Sequence, residues 1–164
     1  EEIVSPATPD RLVEELAFLK ANEVYQRIKN DYTGKDFMVI GADTIVVLKN
    51  SIFNKPANIE EARWMLKQLS GRTHSVITTV CVICKMGAFF KEFSVCSPVT
   101  FAKMDADFIE IYLQKIQPLD KAGAYAIQHP LTQRFATFPP EAYTNIMGFP
   151  VSEFKQEMKH VFPF

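Results

Sequence analysis

Apolar residues recur along this chain with two different periods, and the period changes several times. In the first part, apolar residues at helical spacing follow Thr8-Pro9-Asp10, which combines an N-cap, a proline at the first helical position and an acid in the first turn. The residues on this stripe are Leu12, Val13, Leu16, Leu19, Val24 and Ile28. Residues 37–48 are instead mostly apolar and rich in β-branched side chains, which is typical of a strand buried on both faces. The pattern predicts a helix that ends near Asn30, followed by a buried strand.

Turn signals connect this strand and two further β-rich stretches into hairpins. Lys49-Asn50 predicts a tight turn into a short strand at residues 51–53. Lys85-Met86-Gly87 separates two longer β-rich stretches, residues 75–84 and 89–101, and predicts a second hairpin. We expect these strands to belong to one mixed, twisted sheet.

Three more helices are predicted between and after these strands. Asn58 with Glu61 resembles a capping box, and the helix that it opens stops at Gly71, a favourable residue beyond a helix end. Asp105 and Pro150 are each followed by apolar residues on one helical face. Helices and strands interleave throughout, so we expect a single α/β domain over residues 1–164, with helices packed around the sheet.

Composition excludes several classes of partner. Hydrophobic residues make up 48% of the chain and charged residues 23%, and the formal net charge is -1, so there is no electrostatic footprint for a nucleic-acid polymer or a membrane surface. Neither a signal peptide nor an apolar run of roughly 18 residues is visible. Cys81, Cys84 and Cys96 lie in apolar, strand-like sequence, which favours buried thiols in a reducing compartment. We therefore expect a cytoplasmic protein.

Asp43 is the only charged residue in the apolar run at residues 37–48, and it is the clearest sign of chemistry in the sequence. An ionised carboxylate in a buried strand costs on the order of several kcal/mol unless a cation or hydrogen-bond donors meet it. Two answers are open. One is structural, either a buried ion pair or a cap of backbone N–H groups; the other is a metal ion or a polarised water.

Four short segments combine small residues with charges that packing does not require. They are residues 41–44, 54–56, 120–128 and 145–150. Pro56 restricts Lys55 to extended backbone and so presents its ammonium group, which suits phosphate oxygens, from a defined place. Gln128 could read a nucleobase edge with its amide, or it could satisfy a strand edge. Lys20 lies beside the apolar stripe of the first helix, where snorkelling to solvent is an equal alternative to a functional role.

Other polar residues carry weaker signals. Asp120-Lys121 is typical of a solvated pair, and a lone Lys-Pro is typical of a turn. The histidines, including His74, show no paired spacing, so we interpret them as packing or surface residues.

Taken in order, the four segments resemble the Maf family of nucleoside triphosphate pyrophosphatases, which is related in architecture to the inosine triphosphate pyrophosphatases. The resemblance spans nearly the whole chain and extends to Leu16–Ala21 and Met65–Gly71. It implies a two-lobed α/β fold with a central cleft and a homodimeric assembly. It also implies hydrolysis of the α–β phosphoanhydride of a nucleoside triphosphate, with Mg²⁺ or Mn²⁺ as cofactor and the monophosphate and pyrophosphate as products.

The resemblance implies roles for individual residues around the phosphates. Asp43 matches the family's proton acceptor and is also expected to bind the metal. Glu2 matches a characteristic glutamate and is the second expected metal ligand. Lys20 and Lys55 match the basic residues near the phosphates. A positioned carboxylate can deprotonate a water while lysines and a metal neutralise the charge on phosphate oxygens.

Thr44 and Gln128 match the positions that set nucleobase preference, and this pair resembles the branch of the family that acts on dTTP and UTP. Two departures from the family stand out. Its opening strand, Ser-x-Ser-Pro-Arg-Arg phosphate loop and first helix have no counterpart in this chain, so we expect little activity without them. The family usually has glycine after the glutamine, whereas this chain has His129-Pro130, so the loop over the base is expected to differ.

Two other functions stay open on the sequence. A degenerate protein of this family could bind nucleotide without turnover, which the missing loop and the His129-Pro130 departure suggest. A regulatory role in cell division is the other, because the family is associated with that process.

Overall fold

A β-sheet lies at the centre of the fold. The computed structural model describes residues 8–32, 34–84 and 89–161, and within these the sheet has five strands. They are β1 (Met38–Leu48), β2 (Ser51–Phe53), β3 (Thr73–Cys84), β4 (Phe89–Phe101) and β5 (Ala136–Thr137). Their order across the sheet is β2-β1-β3-β4-β5. The antiparallel pairing predicted for both hairpins, β1–β2 and β3–β4, is confirmed, while the predicted turn at residues 85–87 lies outside the described residues.

The described strands all pair antiparallel, so the expectation of mixed pairing is not met among them. The reason is the order of the connections. The β1–β2 hairpin reverses the chain, and β3 then enters on the other side of β1 in the direction of β2. β3 therefore runs opposite to β1, with Met38 opposite Cys84 and Val47 opposite Ser75. The α/β class, with helices around the sheet, is confirmed.

Six α-helices lie within the described residues, and none of them is long and apolar enough to cross a bilayer. They are α1 (Pro9–Ile28), α2 (Ile59–Leu69), α3 (Ala106–Lys115), α4 (Pro130–Gln133), α5 (Tyr143–Met147) and α6 (Val151–Met158). The predicted helix starts are correct. The Asn58 side chain accepts the Glu61 N–H at 2.8 Å, and the Glu61 carboxylate accepts the N–H of Ala57 at 2.7 Å.

Alternation along β1 separates its two faces. Ile45 and Val47 pack with Val13 of α1, whereas Val46 and Leu48 belong to the main core beneath α2 and α3. The predicted burial on both faces is correct for this half of the strand. It is wrong for Ile40 in the other half, which is 41% exposed. Asp43 therefore shares the α1 face, and Thr44 points to the opposite face.

The cysteines only partly match the expectation of buried thiols. All three are free; Cys81 is buried, Cys84 is half-buried and Cys96 is exposed. Cys81 lies on β3 beneath Ala17 and Ala21 of α1. Cys96 lies on the neighbouring β4, outside the apolar clusters that α1 forms with β1 and β3, and it is exposed, so that prediction is wrong for Cys96.

α1 lies directly against β1 at Gly41. A Cβ at this position would lie 2.5 Å from the carbonyl oxygen of Ala17 and 2.8 Å from the Cβ of Ala21, which no side chain tolerates. Glycine in the strand and alanine in the helix therefore permit this close approach. The same contact brings Lys20, between the two alanines, to Asp43, two residues beyond the glycine.

Candidate active site

A cavity of about 290 Å³ beside β1 brings together most of the residues singled out in the sequence. Its border includes Lys20 from α1, Asp43 and Thr44 from β1, Lys55 from the loop after β2, and Gln128 from the segment before α4. Glu2, the remaining predicted site residue, lies outside the described residues. Five residues from four separate parts of the sequence thus meet at one cavity.

Lys20 is the partner that the Asp43 carboxylate requires. Its ammonium group contacts Asp43 Oδ1 as an ion pair and donates a hydrogen bond to the carbonyl oxygen of Ala42 at 3.2 Å. The Asp43 side chain is 15% exposed and that of Lys20 is 53% exposed. An ion pair is therefore present, but with a half-exposed lysine it is not the buried ion pair considered from the sequence. The carboxylate still borders the cavity, so it remains accessible to a ligand there.

Asp120 and Lys121 also border the cavity, although their sequence is typical of a solvated pair. The Lys121 ammonium group donates to Asp120 Oδ1 at 2.8 Å. This hydrogen bond is the main cause that lowers the pKa of the Asp120 carboxyl, and the charge of Lys55 lowers it further. The signal that could have found this pair is its position directly before the small residues at 122–124. The described lining of the cavity thus carries three lysines and two carboxylates.

Gly123 holds this segment against the sheet. Its φ is +67°, and a Cβ would lie 3.1 Å from the side chain of Val46. Its N–H donates to the carbonyl oxygen of Asn54 at 3.2 Å. A left-handed backbone and a tight contact both favour glycine here. The result is that the segments carrying Lys55 and Lys121 are tied together at the cavity.

The wall of the cavity is supported by a buried pair of aromatic residues, His74 and Tyr125. The His74 ring nitrogen Nε2 lies 3.0 Å from the Tyr125 hydroxyl, and Tyr125 lines the cavity. Burial lowers the pKa of His74 to about 4 and raises the pKa of Tyr125 above its ordinary value. Both side chains are therefore neutral near pH 7, and the interpretation of His74 as a packing residue agrees with its 3% exposure.

The His129-Pro130 departure forms the start of α4. Pro130 occupies the first turn, and His129 Nδ1 accepts the N–H of Leu131 at 3.2 Å. This helix start directly follows Gln128 at the border of the cavity. Gln128 is thus followed directly by a capped helical turn.

The oxygen donors of the cavity suit a hard divalent cation that binds together with a ligand. Within the described ranges no three His, Cys, Asp or Glu side chains converge on a metal site. Mg²⁺, however, is commonly held by one or two carboxylates plus substrate phosphates rather than by a closed protein cage. Asp43 and Asp120 both border the cavity and fit that pattern.

The protein is thus an α/β protein with a cleft that is lined by lysines and carboxylates. The lysine ammonium groups suit the phosphate oxygens of a ligand. The family described as Maf-like protein matches residues 1–161, and the chain belongs to this family. The resemblance inferred from the sequence is confirmed.

Curated relatives match over most of the chain. A dTTP/UTP pyrophosphatase of Lachnoclostridium phytofermentans is 37% identical over 162 residues, which cover 97% of this chain and 79% of the relative. A protein of the same name from Thermococcus kodakarensis is 42% identical over 151 residues, 90% of this chain and 74% of the relative. Another, from Alkaliphilus metalliredigens, is 40% identical over 146 residues, with coverages of 87% and 71%.

Proposed function

We propose that this protein is a nucleoside triphosphate pyrophosphatase that acts on dTTP and UTP. It hydrolyses the α–β phosphoanhydride and releases the monophosphate and pyrophosphate. The observation that carries the proposal is the convergence of the Asp43 carboxylate with three lysines in one cavity, in a chain whose relatives are named dTTP/UTP pyrophosphatase. The lysines suit a polyphosphate, and the carboxylate suits proton transfer.

In the proposed reaction, Asp43 accepts a proton from a water molecule whose oxygen adds to the α-phosphorus. The bond from this phosphorus to the bridging oxygen breaks, and pyrophosphate leaves with that oxygen. Lys20, Lys55 and Lys121 bind the non-bridging oxygens, where their ammonium groups neutralise the charge that builds up. Lys20 has a second task, because its ion pair keeps the Asp43 carboxylate directed at the cavity.

Mg²⁺ or Mn²⁺ is part of the proposal, with Asp43 and Asp120 as ligands among the described residues and Glu2 as a further ligand outside them. Such an ion would add positive charge at the phosphate oxygens. Hard, oxygen-rich ligands support this choice of metals over softer ones.

Thr44 and Gln128 are proposed to recognise the base, because both border the cavity that holds the lysines. An amide presents a donor and an acceptor, which matches the edge of a uracil or thymine ring. We further propose a homodimer, in line with the family resemblance, and a cytoplasmic location, which the three free cysteines support.

The proposal is tested by measuring pyrophosphate release from dTTP, UTP, CTP, dATP and GTP with Mg²⁺ or Mn²⁺. Both the 164-residue chain and a version extended by the family's upstream phosphate loop are assayed. Turnover that is fastest with dTTP or UTP supports the proposal. Nucleotide binding without turnover by the extended protein would instead favour the degenerate, binding-only function.

A further inference from the structure

A relay of hydrogen bonds runs from Thr44 through Thr78 to the backbone of Asn145 in α5. The hydroxyl oxygens of Thr44 and Thr78 lie 2.9 Å apart, and the Thr78 hydroxyl lies 3.1 Å from the carbonyl oxygen of Asn145. The N–H of Gly148 donates to the same carbonyl oxygen at 2.9 Å. Thr78 and Asn145 are 0% and 1% exposed, whereas Thr44 borders the cavity. The relay therefore connects the protein interior to the proposed base-binding side of the site.

The chemistry of these oxygens fixes which hydroxyl donates. A carbonyl oxygen can only accept, so Thr78 gives its single hydrogen to Asn145. Thr78 then offers only lone pairs to Thr44, and the Thr44 hydroxyl donates to it. The reverse arrangement would leave a Thr78 lone pair facing the carbonyl oxygen in a buried site, which is costly. The only hydrogen of the Thr44 hydroxyl is thus used inside the protein, and its oxygen can only accept from a ligand.

The Asn145 end of the relay is held rigidly by the side chain of the same residue. Its Nδ2 donates to the hydroxyl of Ser97 at 2.8 Å and to the carbonyl oxygens of Val95 at 3.2 Å and Val76 at 3.4 Å. These partners lie on β3 and β4, so α5 is fixed to the sheet. The carbonyl oxygen of Asn145 consequently keeps its place beside Thr78.

We propose that Thr78 and Asn145 are positioning residues that make Thr44 a fixed hydrogen-bond acceptor for the base. This inference rests on the proposed function and deepens it. Uracil and thymine carry an N–H donor at ring position 3, whereas cytosine carries an unprotonated acceptor there. An acceptor of fixed direction therefore favours uracil and thymine over cytosine, because cytosine would bring two lone pairs together.

The first test compares Thr78→Val with Thr78→Ser in the full chain. Valine removes the hydroxyl and frees the Thr44 hydroxyl to rotate and donate to cytosine, whereas serine keeps the relay. We expect Thr78→Val to lower the ratio of kcat/KM for UTP over CTP by about tenfold, the effect of one hydrogen bond, and Thr78→Ser to keep the wild-type ratio. Equal losses for both nucleotides would indicate a purely structural role and overturn the proposal.

The same comparison is made by titrating UMP and CMP, which needs no turnover. A ratio of affinities that Thr78→Val leaves unchanged would overturn the proposal. If the wild-type protein binds UMP but releases no pyrophosphate from UTP, the proposed catalytic activity is refuted. The inference about Thr78 is then still decided by the ratio of the UMP and CMP affinities. If it binds neither nucleotide, the inferred role in base recognition falls as well.

The direction of the relay has its own readout. Neutron diffraction from deuterated crystals is expected to place the Thr44 hydroxyl deuterium on the line to Thr78 and the Thr78 deuterium on the line to the Asn145 carbonyl oxygen. A Thr44 deuterium that points into the cavity would overturn the proposal, whatever the activity of the protein.

Discussion

The burial of His74 predicts a specific loss of stability in mild acid. The imidazole has an ordinary pKa of 6.5, and burial lowers it to about 4 in the folded protein. Between these two pH values His74 is protonated in the unfolded chain but neutral in the folded protein, so the free energy of unfolding falls as the pH drops. Well above pH 6.5 both states are neutral, and this group adds no pH dependence there.

The size of the effect follows from the two pKa values. The difference between 6.5 and about 4 corresponds to about 3 kcal/mol of unfolding free energy once the pH is below both values. Because the loss builds up across this window, about 2 kcal/mol of it is expected between roughly pH 7 and pH 5. That is a large share of the 5–15 kcal/mol by which domains are typically stable.

The assay is urea unfolding at a series of pH values, followed by the fluorescence of Trp64, the single tryptophan, which stacks on Phe53. The variant His74→Gln does not titrate and can still pair with the Tyr125 hydroxyl. We expect the stability difference between wild type and His74→Gln to shift by about 2 kcal/mol from pH 7 to pH 5, against the wild type. His160→Gln serves as the matched control, because that side chain is exposed. A difference between wild type and His74→Gln that is constant with pH would refute the reasoning.

Two further predictions concern the packing and the selectivity of the site. Gly41→Ala should destabilise the fold by about 1–3 kcal/mol and lower turnover, since the new Cβ forces α1 and its Lys20 away from β1. Thermal unfolding measures the loss of stability, and pyrophosphate release measures the loss of turnover. Unchanged stability would contradict the close approach of α1 to β1. Gln128→Ala should change discrimination among bases more than turnover of any one substrate, because a lost base contact leaves the phosphate chemistry in place. Competition assays between dTTP and the other triphosphates measure it, and equal losses for all nucleotides would argue against base recognition.

Local features of the fold could be predicted from the sequence because short-range chemistry determines them. Asn58 and Asp105 each cap the helix that follows through a side-chain hydrogen bond to the N–H three residues on, at 2.8 Å in both cases. Whether β3 would pair antiparallel with β1 or parallel with β2 could not be predicted, since this depends on which side of the β1–β2 hairpin the chain joins after α2. The exposure of Cys96 likewise depends on how far α1 reaches across the sheet.

Most residues of the candidate site could be predicted from the sequence, but the contacts between them could not. Lys20 and Asp43 were both identified, but their ion pair joins residues 23 positions apart through a helix–strand contact that Gly41 permits. Asp120 was missed as a site residue because adjacent opposite charges usually lie in solvent. The link between Thr78 and Asn145 spans 67 positions and involves a main-chain oxygen, which no side-chain pattern reveals.

The most direct test of the proposed function is pyrophosphate release from UTP and dTTP by Asp43→Asn, in the version of the protein that carries the family's upstream loop. The amide keeps the shape of the carboxylate but cannot take up the proton from water, so we expect turnover to be abolished while the fold is retained. Asp36→Asn, which changes an exposed acid just before β1, is the matched control and should remain fully active. An Asp43→Asn protein that releases pyrophosphate at the wild-type rate would remove Asp43 from the mechanism and contradict the proposed function of this site.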